Sequence, residues 1–570
     1  MTMRNRAALL AGAYLVCAAS SLSAVDSYNG SLVISGEQIR AYNTEMLVDL
    51  LNKLPGVKAS DGFVSLQGST TNEVLVLLDG RPLTNTMTGT TNLGGILTSQ
   101  LDSIEIIKGS GSAMYGDNTS GGVIVITTKK TDKSFQNKVE AAAGTFDTQI
   151  YNLHVGHSNN GTGIAFSGSY ERSDGHRENG DSDVRSAKVD LNHRTERGVD
   201  SAFSLNYSVD KGGSSGKVTN PTPNARNRKE LFGSSVQLVY DGWKGRAYFN
   251  TNDVYNTDPD HAIDTYLETD TTGGEVRYKK RFDLLGTLLA GVNIEHRDAE
   301  ATGTLPHSED LYGGYLIKPF SFGPVTGKAG FRANNHSVFG ASYNPELTLS
   351  YRYGAVTADL KITRSAKTPT IKQRYYRSTT VQGNPDLKME SATNYQIGLS
   401  GTLESGPTLR VNLFYSDITD GITGYYDSHG IYTYENVSDS IRKGVEASLD
   451  WGMTPWLTWN VSYLYLRFTN DTTGLDMPNR PKHKFRTDLY LEEGRLKGNL
   501  GGYYVSDSYN NTANTQILKS HFVADAKITY RFSDLSAYVE ADNLFDRSYE
   551  VHVGYPAAGR AFLFGVTYLF

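Results

Sequence analysis

The chain has 570 residues, 55 basic and 61 acidic side chains, a formal net charge of -6 and a mean hydropathy of -0.41. The slight acidity argues against a general nucleic-acid binder, and a single Cys excludes an intramolecular disulfide framework. Downstream of the N-terminus no apolar run reaches the roughly 18 residues of a spanning helix, so a helical membrane bundle is excluded, while 36 Tyr and 58 Gly point to β-structure with wet and greasy faces.

In chain order, residues 1–24 read as a secretory signal. Arg4 and Arg6 charge its start, residues 7–19 form a short apolar stretch, and residues 20–24 supply small side chains for cleavage. Cys17 lies inside this segment, so the mature chain is expected to contain no cysteine. Residues 25–130 follow as a compact α+β unit. Ile39, Leu47, Leu50, Leu51 and Leu54 recur at helical spacings, which predicts helix within 37–54, stopped by Pro55-Gly56. Buried strands are predicted at 74–78, ended by the turn Asp79-Gly80; at 104–107, ended by Lys108-Gly109; and at 123–127, after Gly121-Gly122.

From residue 131 the helical period gives way to strict alternation. Phe562, Phe564, Val566, Tyr568 and Phe570 share one face of the last segment, and Val445, Ala447, Leu449 and Trp451 share one face of another. Three features favour a membrane barrel over a soluble sandwich. Charged residues sit mid-strand on the polar face, as a water-filled lumen requires. Aromatics stand at strand ends (Trp451, Trp456, Trp459, Phe468), as in an interfacial girdle. Tight connections such as 452–455 alternate with long polar ones such as 210–229. Residues 131–570 number 440, which at about 20 residues per strand and connection makes about 22 strands. A lumen that wide needs filling, and residues 25–130 have the size to fill it. The expected fold is all-β dominated: an antiparallel transmembrane β-barrel of about 22 strands with an N-terminal α+β plug domain in its lumen.

Residues 101–130 read LDSIEIIKGSGSAMYGDNTSGGVIVITTKK. With Lys108, Gly109, Ala113, Tyr115, Gly116, Gly121 and Gly122 in place, this stretch resembles the end of the plug in TonB-dependent outer-membrane receptors. Residues 72–82 (NEVLVLLDGRP), 50–57 (LLNKLPGV), 384–390 (NPDLKME) and 543–549 (NLFDRSY) resemble other segments of that family, in the family's order. The resemblance implies a monomer in outer-membrane lipid. It implies active import of a metal chelate, a ferric siderophore or a cobalamin-type corrinoid, driven by TonB and its inner-membrane energising complex. A non-transporting or passive outer-membrane barrel that retains a plug (porin-like, or an adhesion or secretion component) is the alternative. No enzyme is expected: Gly111 and Gly116 have the gap of a phosphate loop, but Asp117 follows where Lys is required, and there is no zinc motif.

The expected ligand surface starts with the plug apex Arg81, Pro82, Leu83, Thr84, Asn85, Thr86 and Met87, with 62–70 as a second apex. Arg81 either pairs with an anionic ligand or satisfies plug-to-barrel contacts. Arg374, Tyr375, Tyr376 and Arg377, Tyr425-Tyr426 and Tyr503-Tyr504 offer flat rings with polar tips for a bulky chelate, or else form a girdle. No cofactor is required. Asp181 and Asp183, in a stretch that resembles a ligand-bearing loop of the family's cobalamin receptor, are candidate calcium ligands, as is the loop with Asp258, Asp260, Asp264 and Asp270. Residues 554–560 (GYPAAGR) also resemble that subfamily. Residues 368–383 contain no His, which argues against haem. The family's TonB-contacting peptide is apolar and β-forming, and residues 25–31 (VDSYNGS) do not resemble it. Coupling then uses an unusual sequence, or falls to Leu32, Val33 and Ile34, or the gene start is misplaced.

Overall fold

The alternating segments close on themselves. In the computed structural model, which describes residues 31–570 except 61, 133, 134, 284, 379, 405 and 438, twenty-two strands form one closed antiparallel barrel. The signal segment, Cys17 and residues 25–30 lie outside the described residues. The first barrel strand, Lys138–Gly144, pairs with the last, Ala561–Leu569, so that Leu563 faces Gly144 and Leu569 faces Lys138. Closure leaves no unpaired edge. The strand Gly340–Tyr353 shows why the sequence alternates: Tyr343, Leu347 and Tyr351 are exposed on the outside, while Ser342, Asn344, Glu346, Thr348 and Ser350 are buried on the inside. The Phe562, Phe564, Val566, Tyr568 and Phe570 face is likewise exposed. In a bilayer this outer face meets acyl chains, and all backbone polar groups are paired along the ladder.

Connections at one end span two to five residues, among them 160–161, 241–242 and 455–456. Those at the other end include 368–389, 420–439, 506–520 and 543–560, which fixes that end as extracellular. All four Trp (243, 451, 456 and 459) stand beside short connections, as a periplasmic-side girdle requires. Phe468 does not join them. It points inward, 6% exposed, packed with Leu464 and Leu466 and beneath the Arg442 guanidinium, because it shares strand parity with those inward residues.

The plug has a five-stranded sheet of β1 (Ser31–Ser35), β4 (Val74–Leu78), β5 (Arg81–Pro82), β6 (Leu101–Lys108) and β7 (Gly122–Thr128), in the order β1-β6-β7-β4-β5. A hairpin of β2 (Val57–Ser60) and β3 (Phe63–Leu66) stands apart. The predicted helix is two short ones, α1 (Gly36–Ala41) and α2 (Leu47–Asn52). The break is tertiary: Asn43 takes a left-handed conformation, the Leu47 amide bonds the Ile96 carbonyl, and the Thr98 hydroxyl bonds the Thr44 carbonyl. The predicted apolar face holds nonetheless, since Ile39, Leu47, Leu50, Leu51 and Leu54 are all buried in the plug core. At the end of β4, Asp79 and Gly80 make a left-handed turn, pinned where Asp79 accepts from the Thr128 amide at 2.8 Å.

Candidate functional site

The resemblance motif builds a seam between plug and wall. Lys108 at the end of β6 is buried, with its ammonium on Glu446 of the wall and on the Pro55 carbonyl at 2.8 Å. Wall residues return the contact: Lys361 donates to the Lys108 carbonyl and Thr363 to the Gly109 carbonyl, each at 2.8 Å. Gly109 has φ +63 and lies so close to Gln396 that any side chain there would collide with it. Ala113, in the short helix α3 (Ser112–Tyr115), is buried against Leu289, Tyr315 and Ile317, and its amide donates to Glu346. Tyr115 packs with Leu77 and Val123, and Gly116 lies beside Arg332, which donates to the Met114 carbonyl at 3.2 Å. The Gly121 amide donates to the Glu73 carbonyl at 2.8 Å. Gly122, at φ +140, sits against the Ile107 carbonyl.

Composition and motif matching missed the charges that oppose this seam. Glu73 is shared by Arg442 at 2.6 Å and Lys367 at 3.9 Å, and Lys367 is itself held by Glu390 at 2.8 Å. Glu390 is the last residue of the NPDLKME stretch. Burial pushes the Glu73 carboxyl up, but Arg442, Lys367 and the Thr70 hydroxyl outweigh it and hold it near 2. Glu45 is gripped by Lys138 and, at 3.7 Å, by Lys527; it too is held near 2 against its burial. The mid-strand charges therefore meet the plug rather than an open water-filled lumen. Their only sequence signal was charge at inward strand parity.

The expected ligand surface divides. Arg81 takes the plug-to-barrel alternative and not the ligand-facing one: it is 3% exposed and donates to Asn206 and Asn250 of the wall, because the turn before it returns the chain along the lumen side. Pro82 accepts from Asn250 at 3.1 Å and Leu83 is core. The apex proper is Thr84, Asn85, Thr86 and Met87, where Asn85 caps the Met87 and Thr88 amides and the Met87 carbonyl accepts from Lys372. Lys372 belongs to α4 (Ile371–Tyr375) in the 368–389 loop. Arg374 is a correction: its side chain is fully buried, ion-paired with Glu309 and stacked under Phe339 and Tyr375. Tyr375 stacks on His307 at 3.8 Å, and Tyr376 packs beside Met87 and Ile371. Tyr425 and Tyr426 stay exposed on an extracellular hairpin, Tyr426 edge-on to Tyr432. Tyr503 and Tyr504 part by strand parity: Tyr503 turns inward to Tyr549 at 3.2 Å, and Tyr504 faces out. Beneath the apex lies a cavity of about 150 Å³ lined by Thr84, Asn118, Arg297, Arg332, His336 and Thr370.

Asp181 and Asp183 are each engaged by their own guanidinium, Arg226 at 2.5 Å and Arg185 at 2.8 Å, at the exposed end of the barrel. Asp258 is paired with His261 at 2.7 Å and Asp260 with Asn224. Among the described residues no group of three or more His, Cys, Asp or Glu is arranged to hold a metal ion. Leu32, Val33 and Ile34 lie in β1, the sheet edge, paired through Ile106, Glu105 and Ile104 of β6.

Residues 134–544 match the family described as "TonB dependent receptor-like, beta-barrel", and residues 24–123 match "TonB-dependent Receptor Plug Domain". The vitamin B12 transporter BtuB of Photobacterium profundum is 25% identical over 94% of this chain and 92% of its own length. In fold, the chain resembles the siderophore receptor PirA from Acinetobacter baumannii (TM-score 0.77, 17% identity, covering 95% and 98% of the two chains). It also resembles the copper transporter OprC (TM-score 0.82, 16% identity, covering 95% and 99%).

Proposed function

The chain belongs to the TonB-dependent receptor family of the bacterial outer membrane, and we propose that within it this protein is a monomeric active importer of a metal chelate. The observation that carries the reading is the fastened plug: ion pairs from Lys108, Glu73 and Glu45 tie it to the inner face of the barrel wall. Passage then requires work on the plug, and the outer membrane has no nucleotide supply of its own. The named relatives handle a corrinoid, siderophores and copper, all metal-centred cargo, which supports the ligand class. The half-buried Tyr375 and Tyr376 and the exposed Tyr425 and Tyr426 on the extracellular loops supply aromatic and polar surface for a bulky chelate.

Coupling to TonB in this reading runs through residues 25–34. A pull from the periplasm would reach β1 first, and β1 is the edge strand of the plug sheet, paired on one side with β6. Deleting residues 25–34 is expected to abolish energised uptake of cobalamin or ferric siderophore by cells while equilibrium binding by the purified protein is retained. Uptake that survives the deletion would overturn the import reading in favour of a passive barrel.

A further inference from the structure

The plug is not fastened evenly around the barrel. Glu45 pairs with Lys138 of Lys138–Gly144 and Lys527 of His521–Arg531, and Asp79 with Lys188 of Ser182–Arg194 at 3.5 Å. Glu73 pairs with Lys367 of Val356–Lys367 and Arg442 of Ser440–Thr454, and the latter strand also holds Lys108 through Glu446. On the strands Trp243–Asp258, Ile263–Phe282, Gly286–Ala301, His307–Phe322 and Val325–His336 the inward charges pair with one another instead. Arg246 holds Glu275 and Arg297 holds Glu295, each at 2.6 Å, while Tyr315 donates to Glu275 and Tyr248 to Glu295. The plug meets this wall through the apolar patches at Ala113 and Met87 and through neutral acceptors. Arg246 donates to the Asp79 carbonyl at 3.3 Å, Arg332 to the Met114 carbonyl at 3.2 Å and Asn250 to the Pro82 carbonyl at 3.1 Å.

The cavity beneath the apex lies along this same wall. Its lining starts at Thr86 of the apex and Thr370 of the extracellular 368–389 loop, passes Thr271 and Asn293, and ends at Arg246, three residues from Trp243 of the periplasmic-side girdle. It is therefore a crevice between plug and wall that follows most of the height of the barrel. Thr86 Oγ1 at one end and Arg246 Nε at the other are buried without a hydrogen-bond partner, so a polar solute finds partners at both ends. Buried ion pairs resist separation more than hydrogen bonds to carbonyls, which water replaces. We propose that the plug stays hinged on Val356–Lys367 and Ser440–Thr454 and withdraws from the 243–336 wall, and that cargo crosses along the crevice, past Tyr248, Asn293 and Arg332. This inference rests on the import reading above and names the side of the barrel, and the hydrogen-bonding residues, that the cargo passes.

The test is thiol labelling of the full-length protein in energised cells supplied with cyanocobalamin, a ferric tris-catecholate and a ferric tris-hydroxamate in turn. Thr271→Cys places a thiol in the crevice and Ser365→Cys places one on the hinge side, and both positions are buried. During uptake of a probe, labelling of Thr271→Cys by a hydrophilic maleimide should accelerate at least about tenfold, while Ser365→Cys keeps its resting rate. Thr271→Phe should slow uptake at least about tenfold and leave equilibrium binding of that probe at the wild-type value, which separates a blocked route from a lost fold. Thr271→Ser should take the probe up as the wild type does. Equal acceleration at both thiols would mean that the whole plug leaves, and acceleration at Ser365→Cys alone would put the route on the other side. Either result, or uptake with neither thiol labelled faster, would overturn the inference and leave the import reading standing. Failure of wild-type cells to take up any probe would overturn both.

Discussion

Glu73 illustrates how much a single side chain carries at the seam. It caps the short turn after Thr70, accepts from Arg442 and lies within reach of Lys367, all nearly inaccessible to water. Its carboxyl stays ionised in the docked plug down to about pH 2, against about 4.5 in an unfolded chain. The stabilisation is therefore complete above pH 4.5 and is lost as pH falls from 4.5 toward 2, at a value of about 3 kcal/mol. Hydrogen exchange of β4 and β7 amides should accelerate across that window in the wild type, and Glu73→Gln should be fast throughout. An exchange rate insensitive to pH after correction for intrinsic chemistry would count against the assignment. Glu446→Leu addresses the second anchor. It strands the Lys108 ammonium with only the Pro55 carbonyl and should loosen the plug by about 3–5 kcal/mol, read by the same exchange experiment.

At the level of elements, local chemistry was legible and burial context was not. The strand Val74–Leu78 has the bounds that its apolar run and the following Asp79-Gly80 turn imply. The helix over 37–54 broke in two because residues 42–46 bond the 96–98 segment, a partner some fifty positions away that no periodicity records. Adjacent aromatics such as Tyr503-Tyr504 read as one patch in the chain and as two faces on a strand. Arg81 and Arg374 looked like ligand-facing cations because charge alone does not reveal its counter-group. The motif glycines were legible as positions and opaque as causes. At Gly122 the cause is a parallel β4–β7 pair and an antiparallel β6–β7 pair that meet where β7 begins, leaving no room beside the Ile107 carbonyl. Gly122→Ala should therefore destabilise the plug by about 1–3 kcal/mol through backbone strain and displacement of β6. The measurement is the thermal midpoint of plug proteolysis, and a midpoint equal to wild type would remove the close-packing explanation.

The whole molecule joins two bodies of different cohesion. The barrel is a single closed ladder in which every strand has two neighbours, and its outer apolar face is stabilised by lipid or detergent. The plug owns a compact apolar core of its own, yet outside two small apolar patches at Ala113 and Met87 it meets the wall through ion pairs and side-chain-to-carbonyl bonds, a polar contact that water replaces readily. The two bodies should accordingly lose structure in sequence as denaturant rises, plug before barrel. The Trp distribution makes this readable, because all four (243, 451, 456 and 459) lie in the barrel beside its short connections and none lies in the plug. Hydrogen exchange of the plug strands should report a first transition that leaves Trp emission unchanged, and Trp emission should move only in the second. Glu73→Gln combined with Glu446→Gln should lower the first midpoint and leave the second where it was, since Glu73 lies in the plug and the Glu446 carboxylate, although carried on a barrel strand, is spent on the plug's Lys108 and not on the backbone ladder. A single transition seen by both probes, shifted as one by the double substitution, would mean that plug and barrel unfold as one cooperative body and that the polar seam is stronger than its chemistry implies.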